Sequence, residues 1–127
     1  MFSHVTIGSR DPGKAAAFYD AVLGTLGIKP LFKLDDVAAY GEMTGPKTFI
    51  LKPFDGNPHV PGNGGHVAYL APTRAAVDAF HAKALEMGGT SEGAPGLRPH
   101  YHPNYYGAYV RDPEGNKLQA VCHRKDG

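Results

Sequence analysis

Apolar and polar residues alternate along the first segment of the chain, residues 3–8. Val5 and Ile7 share one face and His4 and Thr6 the other, which is the period of a half-buried strand. His4 is therefore expected to point away from the face that the strand buries.

A helical pattern follows directly. Asp11 is suited to cap the helix and Pro12 to occupy its first position, while Gly24 and Gly27 weaken and then end it. The apolar positions that recur at helical spacing are Ala15, Phe18, Tyr19, Val22, Leu23 and Leu26. The pattern thus places one amphipathic helix directly after the first strand.

Two strands and a turn-rich segment complete the first half of the chain. The strands are predicted over 36–42 and 47–52, with a turn at 44–46 between them. Residues 54–65 contain too many Gly, Pro, Asn and Asp residues for a regular element, and we interpret them as a linker. The first module therefore covers about residues 1–53.

The second half repeats the first with an offset of 66 − 4 = 62 residues. The matched pairs are His4 and His66, Phe18 and Phe80, Leu23 and Leu85, and Gly27 and Gly89. This second module, about 66–124, is predicted to contain a strand at 66–70, a helix capped by Thr73, an irregular stretch at 91–104, and strands at 105–111 and 117–123. The sequence therefore predicts an internal duplication of one structural unit.

These elements predict an α+β fold in a single domain, residues 1–127. Each small sheet covers one helix and curls around a cleft, and placing the two sheets edge to edge makes His4 and His66 face each other. Gln119 lies in the last strand. Two imidazoles and one oxygen donor on a rigid sheet can hold a divalent ion. The alternative interpretations are hydrogen-bonded edge residues for the histidines and a solvated strand residue for Gln119.

Composition narrows the class of partner. Lys and Arg total 13 against 12 acidic residues, a net charge of +1, so no field attracts nucleic acid or an acidic membrane. The single cysteine, Cys122, cannot form an internal disulfide and suits a reducing cytosol. No apolar run approaches the ~18 residues of a membrane span. We expect a cytoplasmic protein with a small, roughly neutral partner.

The duplicated pattern, the two His-Val strand openings and the closing sequence at 109–119, Tyr-Val-Arg-Asp-Pro-Glu-Gly-Asn-Lys-Leu-Gln, resemble the vicinal oxygen chelate superfamily. This is the family of glyoxalase I, bleomycin-resistance proteins and extradiol dioxygenases. The resemblance covers essentially the whole chain and implies two tandem βαβββ modules that form a cupped mixed sheet around a central cleft, with the helices outside. It also implies a divalent metal ion (zinc, nickel, manganese or iron(II)) held by His4, His66 and Gln119.

The chain departs from the family pattern at the metal ligands. The last ligand is usually glutamate, whereas Gln119 stands here, and residues 48–51 of the first module offer no carboxylate. The resemblance still favours a glyoxalase-like metal-dependent enzyme, of the lyase/isomerase or dioxygenase type, acting on a small oxygenated substrate in the cup. The alternative is a metal-free small-molecule binding protein of the bleomycin-resistance type. A metal-stabilised scaffold without turnover is a third. Because members of the family are often dimers, a homodimer is expected.

The loop at 99–106 is rich in histidine and tyrosine. His100 and His102 are candidate catalytic groups, because imidazole can act as an acid or base near neutral pH. Tyr109 in the following strand is a third candidate, as a hydrogen-bond donor to a substrate oxygen. The candidate substrate-binding residues, which offer stacking surfaces and donors, are Tyr101, Tyr105 and Tyr106. The alternative is an ordered loop whose aromatic side chains cover the cup, with Tyr109 as a core residue.

Overall fold

The computed structural model describes all 127 residues of the chain. In chain order its elements are β1 (His4–Gly8), α1 (Pro12–Gly24), β2 (Pro30–Lys33), β3 (Val37–Gly41), β4 (Lys47–Leu51), β5 (Val67–Leu70), α2 (Arg74–Glu86), β6 (Thr90–Leu97), β7 (Tyr106–Arg111) and β8 (Lys117–Cys122). The segment predicted as a linker lies between β4 and β5, where no helix or strand forms.

Each half of the chain forms its own four-stranded mixed sheet. The strand orders are β1-β4-β3-β2 and β5-β8-β7-β6. The first strand of each module pairs in parallel with the last, and the other neighbours are antiparallel. This topology confirms the predicted α+β class and its two βαβββ units.

The two helices begin at the residues that the sequence indicates. The Asp11 carboxylate accepts a hydrogen bond from the Lys14 backbone N–H at 3.1 Å, and the Thr73 hydroxyl accepts one from Ala76 at 3.0 Å. Pro12 occupies the first position of α1 as expected. With 13 residues each, neither helix combines the length and the apolarity needed to cross a membrane.

One apolar core joins the two modules. The helices contact each other, and each packs against its own sheet around a cluster of 21 buried residues. Phe18 of α1 and Phe80 of α2, the pair related by the sequence offset, are only 3 % and 0 % exposed. The face of each sheet that does not carry a helix is called its cup face here.

Side chains of the β7–β8 turn form hydrogen bonds with the first module and with the segment that follows it. The Tyr19 hydroxyl donates to Asp112 at 2.5 Å, and the Asn116 amide donates to the Gly8 carbonyl at 3.0 Å. The His59 ring lies 2.7 Å from the Asn116 side-chain oxygen and directly over Gly8. A Cβ at Gly8 would lie 2.2 Å from the His59 Nδ1, so this close approach requires glycine.

Two strands differ from the sequence expectation. The segment Pro30–Lys33 forms β2, which the pattern did not show, and residues of the predicted irregular stretch form β6. Both are edge strands with irregular register against their single neighbour. Edge strands tolerate Pro and Gly because half of their backbone groups need no partner in the sheet, so their composition resembles that of a loop.

The other two edges, β1 and β5, are free. No strand of one sheet pairs with a strand of the other, so the predicted edge-to-edge arrangement does not form within one chain. A cavity of about 780 Å³ runs between the start of β1 and β5, and it is lined by Phe2 and Leu70, which are 70 % and 73 % exposed. The helices and the β7–β8 turn hold the modules together instead.

Candidate functional site

The polar residues of the second module gather on its cup face. Strand alternation directs Val110, Leu118 and Ala120 into the core and leaves Tyr109 and Gln119 on the opposite face. Tyr109 of β7 and Gln119 of β8 are direct cross-strand partners. We call the surface formed by these two residues and their neighbours the module-2 cup face.

Gln119 is fixed by the loop that precedes β7. Its side chain is 1 % exposed, and its amide nitrogen donates a hydrogen bond to the Tyr105 hydroxyl. The glycine at position 107 leaves room for both groups, since a Cβ there would lie 3.2 Å from the Gln119 nitrogen and 3.3 Å from the Tyr105 ring. The Gln119 carbonyl oxygen accepts no hydrogen bond from the protein. One acceptor on this face is thus uncommitted.

Three tyrosines surround that amide. The Tyr101 and Tyr105 rings lie 4.7 Å apart, and Tyr105 is bonded to Gln119. Burial, followed by hydrogen bonding with Tyr101 and Tyr105, raises the pKa of Tyr109 well above that of free tyrosine. The Tyr109 phenol is therefore a neutral hydrogen-bond donor at physiological pH.

Two histidines form a hydrogen-bonded pair at the edge of the tyrosine cluster. The His102 Nε2 lies 2.8 Å from the His123 Nδ1, and the Asn104 backbone N–H donates to the His102 Nδ1 at 3.1 Å. Because Nδ1 of His102 is an acceptor, the ring carries its proton on Nε2, which donates to the His123 Nδ1. Both rings contact Tyr105 edge-on. The exposed His100 instead stacks at 4.2 Å on Tyr101.

Two cations approach the Tyr109 ring. The Lys117 ammonium lies 5.1 Å and the Arg98 guanidinium 5.9 Å from the ring centroid. Neither residue was predicted from the sequence. The alternation of β8 places Lys117 on the same face as Gln119, so the period of the strand contained the signal for it. No comparable signal marks Arg98, which reaches the face from the end of β6.

The structure separates Tyr106 from the other candidate residues. Its position in β7 turns it towards α2, where its hydroxyl donates to Asp78 at 2.6 Å. The Arg74 guanidinium lies 5.4 Å from its ring. That hydrogen bond is the main reason why the pKa of Tyr106 is raised. Tyr106 thus contributes to packing of the helix and not to the cup face.

The two histidines predicted as metal ligands lie on different sheets. His66, just before β5, contacts the Tyr109 ring at 5.8 Å and has no hydrogen-bond partner. His4, in β1, lies against Phe49 at 5.2 Å, and its Nδ1 is 2.8 Å from the Ser3 hydroxyl. No hydrogen bond or ring contact joins the two histidines. One chain thus brings together His66, Tyr109 and the Gln119 strand, without His4.

The donors of a single chain do not fit a divalent metal ion. No group of three or more His, Cys, Asp or Glu side chains is close enough to hold one. On the module-2 cup face the candidate ligands, His66 and Gln119, supply no negative charge, and Lys117 and Arg98 add positive charge close by. Hard divalent ions prefer anionic oxygen ligands, and nearby cations disfavour them further.

Comparisons with known proteins agree with the fold. The model of the Glyoxalase/Bleomycin resistance protein/Dioxygenase superfamily matches residues 1–120. A glyoxalase/bleomycin resistance protein from Albidiferax ferrireducens T118 is 39 % identical, covers 98 % of this chain and 99 % of its own, and superposes with a TM-score of 0.87.

More distant structures share the fold alone. A glyoxalase-related enzyme from Fulvimarina pelagi is 20 % identical over 96 % of this chain and 87 % of its own, with a TM-score of 0.73. Lactoylglutathione lyase from Agrobacterium tumefaciens is 20 % identical over 96 % and 92 %, with a TM-score of 0.66. No curated protein matches the chain.

Proposed function

This chain belongs to the Glyoxalase/Bleomycin resistance protein/Dioxygenase superfamily, and we propose that it binds a small oxygen-bearing organic molecule on the module-2 cup face without a resident metal ion. The observation that carries the proposal is the buried Gln119, whose amide donates to Tyr105 where a metal-binding glutamate is expected. An amide held in this way supplies a directed hydrogen-bonding group but no negative charge.

The chemistry of the face suits such a ligand. Tyr101 and Tyr105 offer aromatic surfaces at the mouth of the cluster, and Tyr109 offers a neutral phenol beside them. A small number of polar groups fixed among aromatic side chains is typical of small-molecule sites. Ligand oxygens can thus be recognised without a metal ion.

We propose further that the cup is completed in a homodimer. The edges β1 and β5 are unpaired, and the exposed Phe2 and Leu70 line the cavity between them. Free edges with exposed apolar side chains favour pairing with another chain. A twofold dimer with β1 beside the partner's β5 would cover both edges at once. It would also place His4 of the partner subunit on the same cup as His66.

The second candidate function is a metal-dependent enzyme of the glyoxalase or dioxygenase type. It is favoured by two uncommitted donors on one face, the His66 ring and the Gln119 oxygen, to which the dimer would add the partner's His4. The metal would act as a Lewis acid on substrate oxygens. The groups available for proton transfer would be His100, Tyr109 and the hydrogen-bonded His102.

One experiment separates these two functions. Untagged protein, purified without chelator, is analysed for metal by elemental mass spectrometry and for oligomeric state by light scattering. In parallel, catechol, phenol and 2-oxo acid fragments are titrated while the NMR signals of Gln119 and Tyr109 are followed. We expect a dimer whose fragment binding is unaffected by EDTA and is lost in Gln119→Leu, a change of similar volume.

The matched control is Asn57→Leu, because Asn57 is an exposed amide in the segment between β4 and β5, far from the cup face in the chain, and only its backbone N–H is hydrogen-bonded. Stoichiometric metal that disappears in His66→Ala but not in His81→Ala would favour the metal-dependent enzyme instead. Fragments that leave the signals of Gln119 and Tyr109 unchanged, with or without added zinc, nickel, manganese or iron(II), would refute a ligand site on this face.

A further inference from the structure

We infer that the ligand of the module-2 cup face is an organic anion whose carboxylate lies between Lys117 and Arg98, above Tyr109. The inference rests on the proposed binding function and specifies its ligand class. It also departs from the expectation of a neutral partner, which used only the net charge of the whole chain.

The two cations reach Tyr109 from opposite sides of its strand. Lys117 lies in β8, two residues before Gln119, which is the cross-strand partner of Tyr109. Arg98 follows β6, whose Gly93 is the partner of Tyr109 on its other side. The ammonium lies 5.1 Å and the guanidinium 5.9 Å from the centroid of the same ring, so a ligand that packs on Tyr109 lies within the field of both charges.

Neither cation has a carboxylate partner. The only acidic side chain bonded to a base on this face is Glu92, and it is paired with Arg111. The field of Lys117 reaches Glu92 and contributes to its lowered pKa, but the two form no ion pair. Two positive charges therefore remain uncompensated beside the tyrosine cluster. In a protein with an overall charge of +1, this is a local concentration of positive charge.

The Arg98 guanidinium is held in place before any ligand binds. Its terminal nitrogens donate to the carbonyls of Ala94 and Gly96 at 2.7 and 2.8 Å. Side chains at Gly93 or Gly96 would crowd it, since a Cβ would lie 3.2 or 3.3 Å from those nitrogens. A fixed planar guanidinium loses little freedom when it binds an anion, and its geometry matches a carboxylate.

The uncharged groups of the face are mainly hydrogen-bond donors. The Gln119 amide nitrogen and the three tyrosine hydroxyls can donate, and no carboxylate of the protein accepts from them. The Gln119 side-chain oxygen is the one uncommitted acceptor beside them. A ligand carboxylate would supply further acceptor oxygens.

The test compares charged probes with neutral molecules of the same shape. Benzoate and phenylacetate are titrated into the full chain against benzamide and phenylacetamide, with the Tyr109 and Gln119 NMR signals as the readout, and phenyl phosphate as a further arm. We expect each carboxylate to bind at least about tenfold more tightly than its amide, as one charge-assisted contact provides. Lys117→Gln should remove about tenfold of this affinity, and added salt should weaken it.

Two further variants keep the test decisive. Arg98→Gln should act like Lys117→Gln, whereas Lys14→Gln, the same charge change on the exposed side of α1, should have no effect. Amides that bind as tightly as carboxylates in a Gln119-dependent way would overturn the inference and leave the proposed binding function intact. Carboxylate binding that is equally tight in native protein and in Lys117→Gln would also overturn the inference and leave the proposed binding function intact. Binding of phenyl phosphate alone would replace the carboxylate with a phosphate. If no probe moves either signal, both proposals fail.

Discussion

The two cup faces carry different side chains at equivalent positions. In the second module, β7 and β8 place Tyr109 opposite Gln119, and His66 lies against the tyrosine ring. In the first, β3 and β4 place Ala39 opposite Phe49, and His4 lies against the phenylalanine.

The helix-facing sides of the modules are far more alike. Phe18 and Phe80 are both buried in the common core, and each helix starts with a side-chain cap. The duplication thus preserves the apolar positions that build each module, while the polar groups of the candidate site occur in only one of the two. A repeated scaffold does not require a repeated site.

The largest expected effects lie on the side where the modules agree. Phe18→Ala and Phe80→Ala each remove a buried ring, and each should lower the free energy of unfolding by about 3–5 kcal/mol. Urea denaturation followed by circular dichroism measures both. A difference between the two that exceeds about 2 kcal/mol would show that the halves contribute unequally to the core, contrary to this comparison.

The second-largest expected effect on stability concerns a hydrogen bond that differs between the modules. Tyr19 binds Asp112 of the other module, whereas its offset equivalent, His81, binds Ser91 of its own module at 2.8 Å. Tyr19→Phe should cost about 1.5–3 kcal/mol, because it removes a buried hydrogen bond to a carboxylate. Ser91→Ala should cost only about 0.5–1 kcal/mol, since that bond is exposed. Equal changes in the free energy of unfolding, measured by urea denaturation, would mean that the contact between the modules is no more stabilising than the contact within one module.

The same variant has a pH signature. Burial, and then Asp112, raises the pKa of Tyr19 in the folded chain, whereas unfolded tyrosine ionises near about pH 10. Above that pH the unfolded state loses its proton first, so the native protein becomes less stable as pH rises. The stability gap between native protein and Tyr19→Phe should therefore be constant below about pH 9 and shrink towards about pH 11. Parallel curves over this range would contradict the assignment.

How much the sequence revealed depended on the kind of element. The helices and every strand except β2 and β6 follow clear periodicities, and they form where those periodicities predict. The strands β2 and β6 lie at edges, which need fewer paired backbone groups and can accept the composition of a loop, although the other two edge strands, β1 and β5, keep a strand pattern. A local sequence pattern therefore cannot distinguish such an edge strand from a loop.

The candidate site was only partly predictable for a related reason. The 62-residue offset identified His4 and His66, and the closing motif identified Gln119, but their assembly depends on how the two sheets are placed. Sequence alone does not tell which charges lack a partner. Lys117 and Arg98 lack a carboxylate partner because Glu92 is paired with Arg111, and that pairing depends on the tertiary structure.

The smallest predicted effect uses the offset as a guide to stability. Gly24 ends α1, and its equivalent at the end of α2 is Glu86, a good helix former. A Cβ at Gly24 would meet nothing within 4 Å, and its φ is not in the left-handed region. Gly24→Ala should therefore stabilise the protein by about 0.5 kcal/mol, mainly by restricting the unfolded chain.

The matched control is Gly27→Ala. A Cβ at Gly27 also meets nothing within 4 Å, but the residue has a φ of +79°. Alanine there should destabilise the protein by about 1 kcal/mol, because an L side chain is strained in this conformation. The two variants differ in backbone conformation and not in available space, so their urea midpoints should move in opposite directions. Two lower midpoints would mean that the first module does not tolerate the helix former which the second already carries, and two higher midpoints would mean that the positive φ of Gly27 carries no strain for alanine.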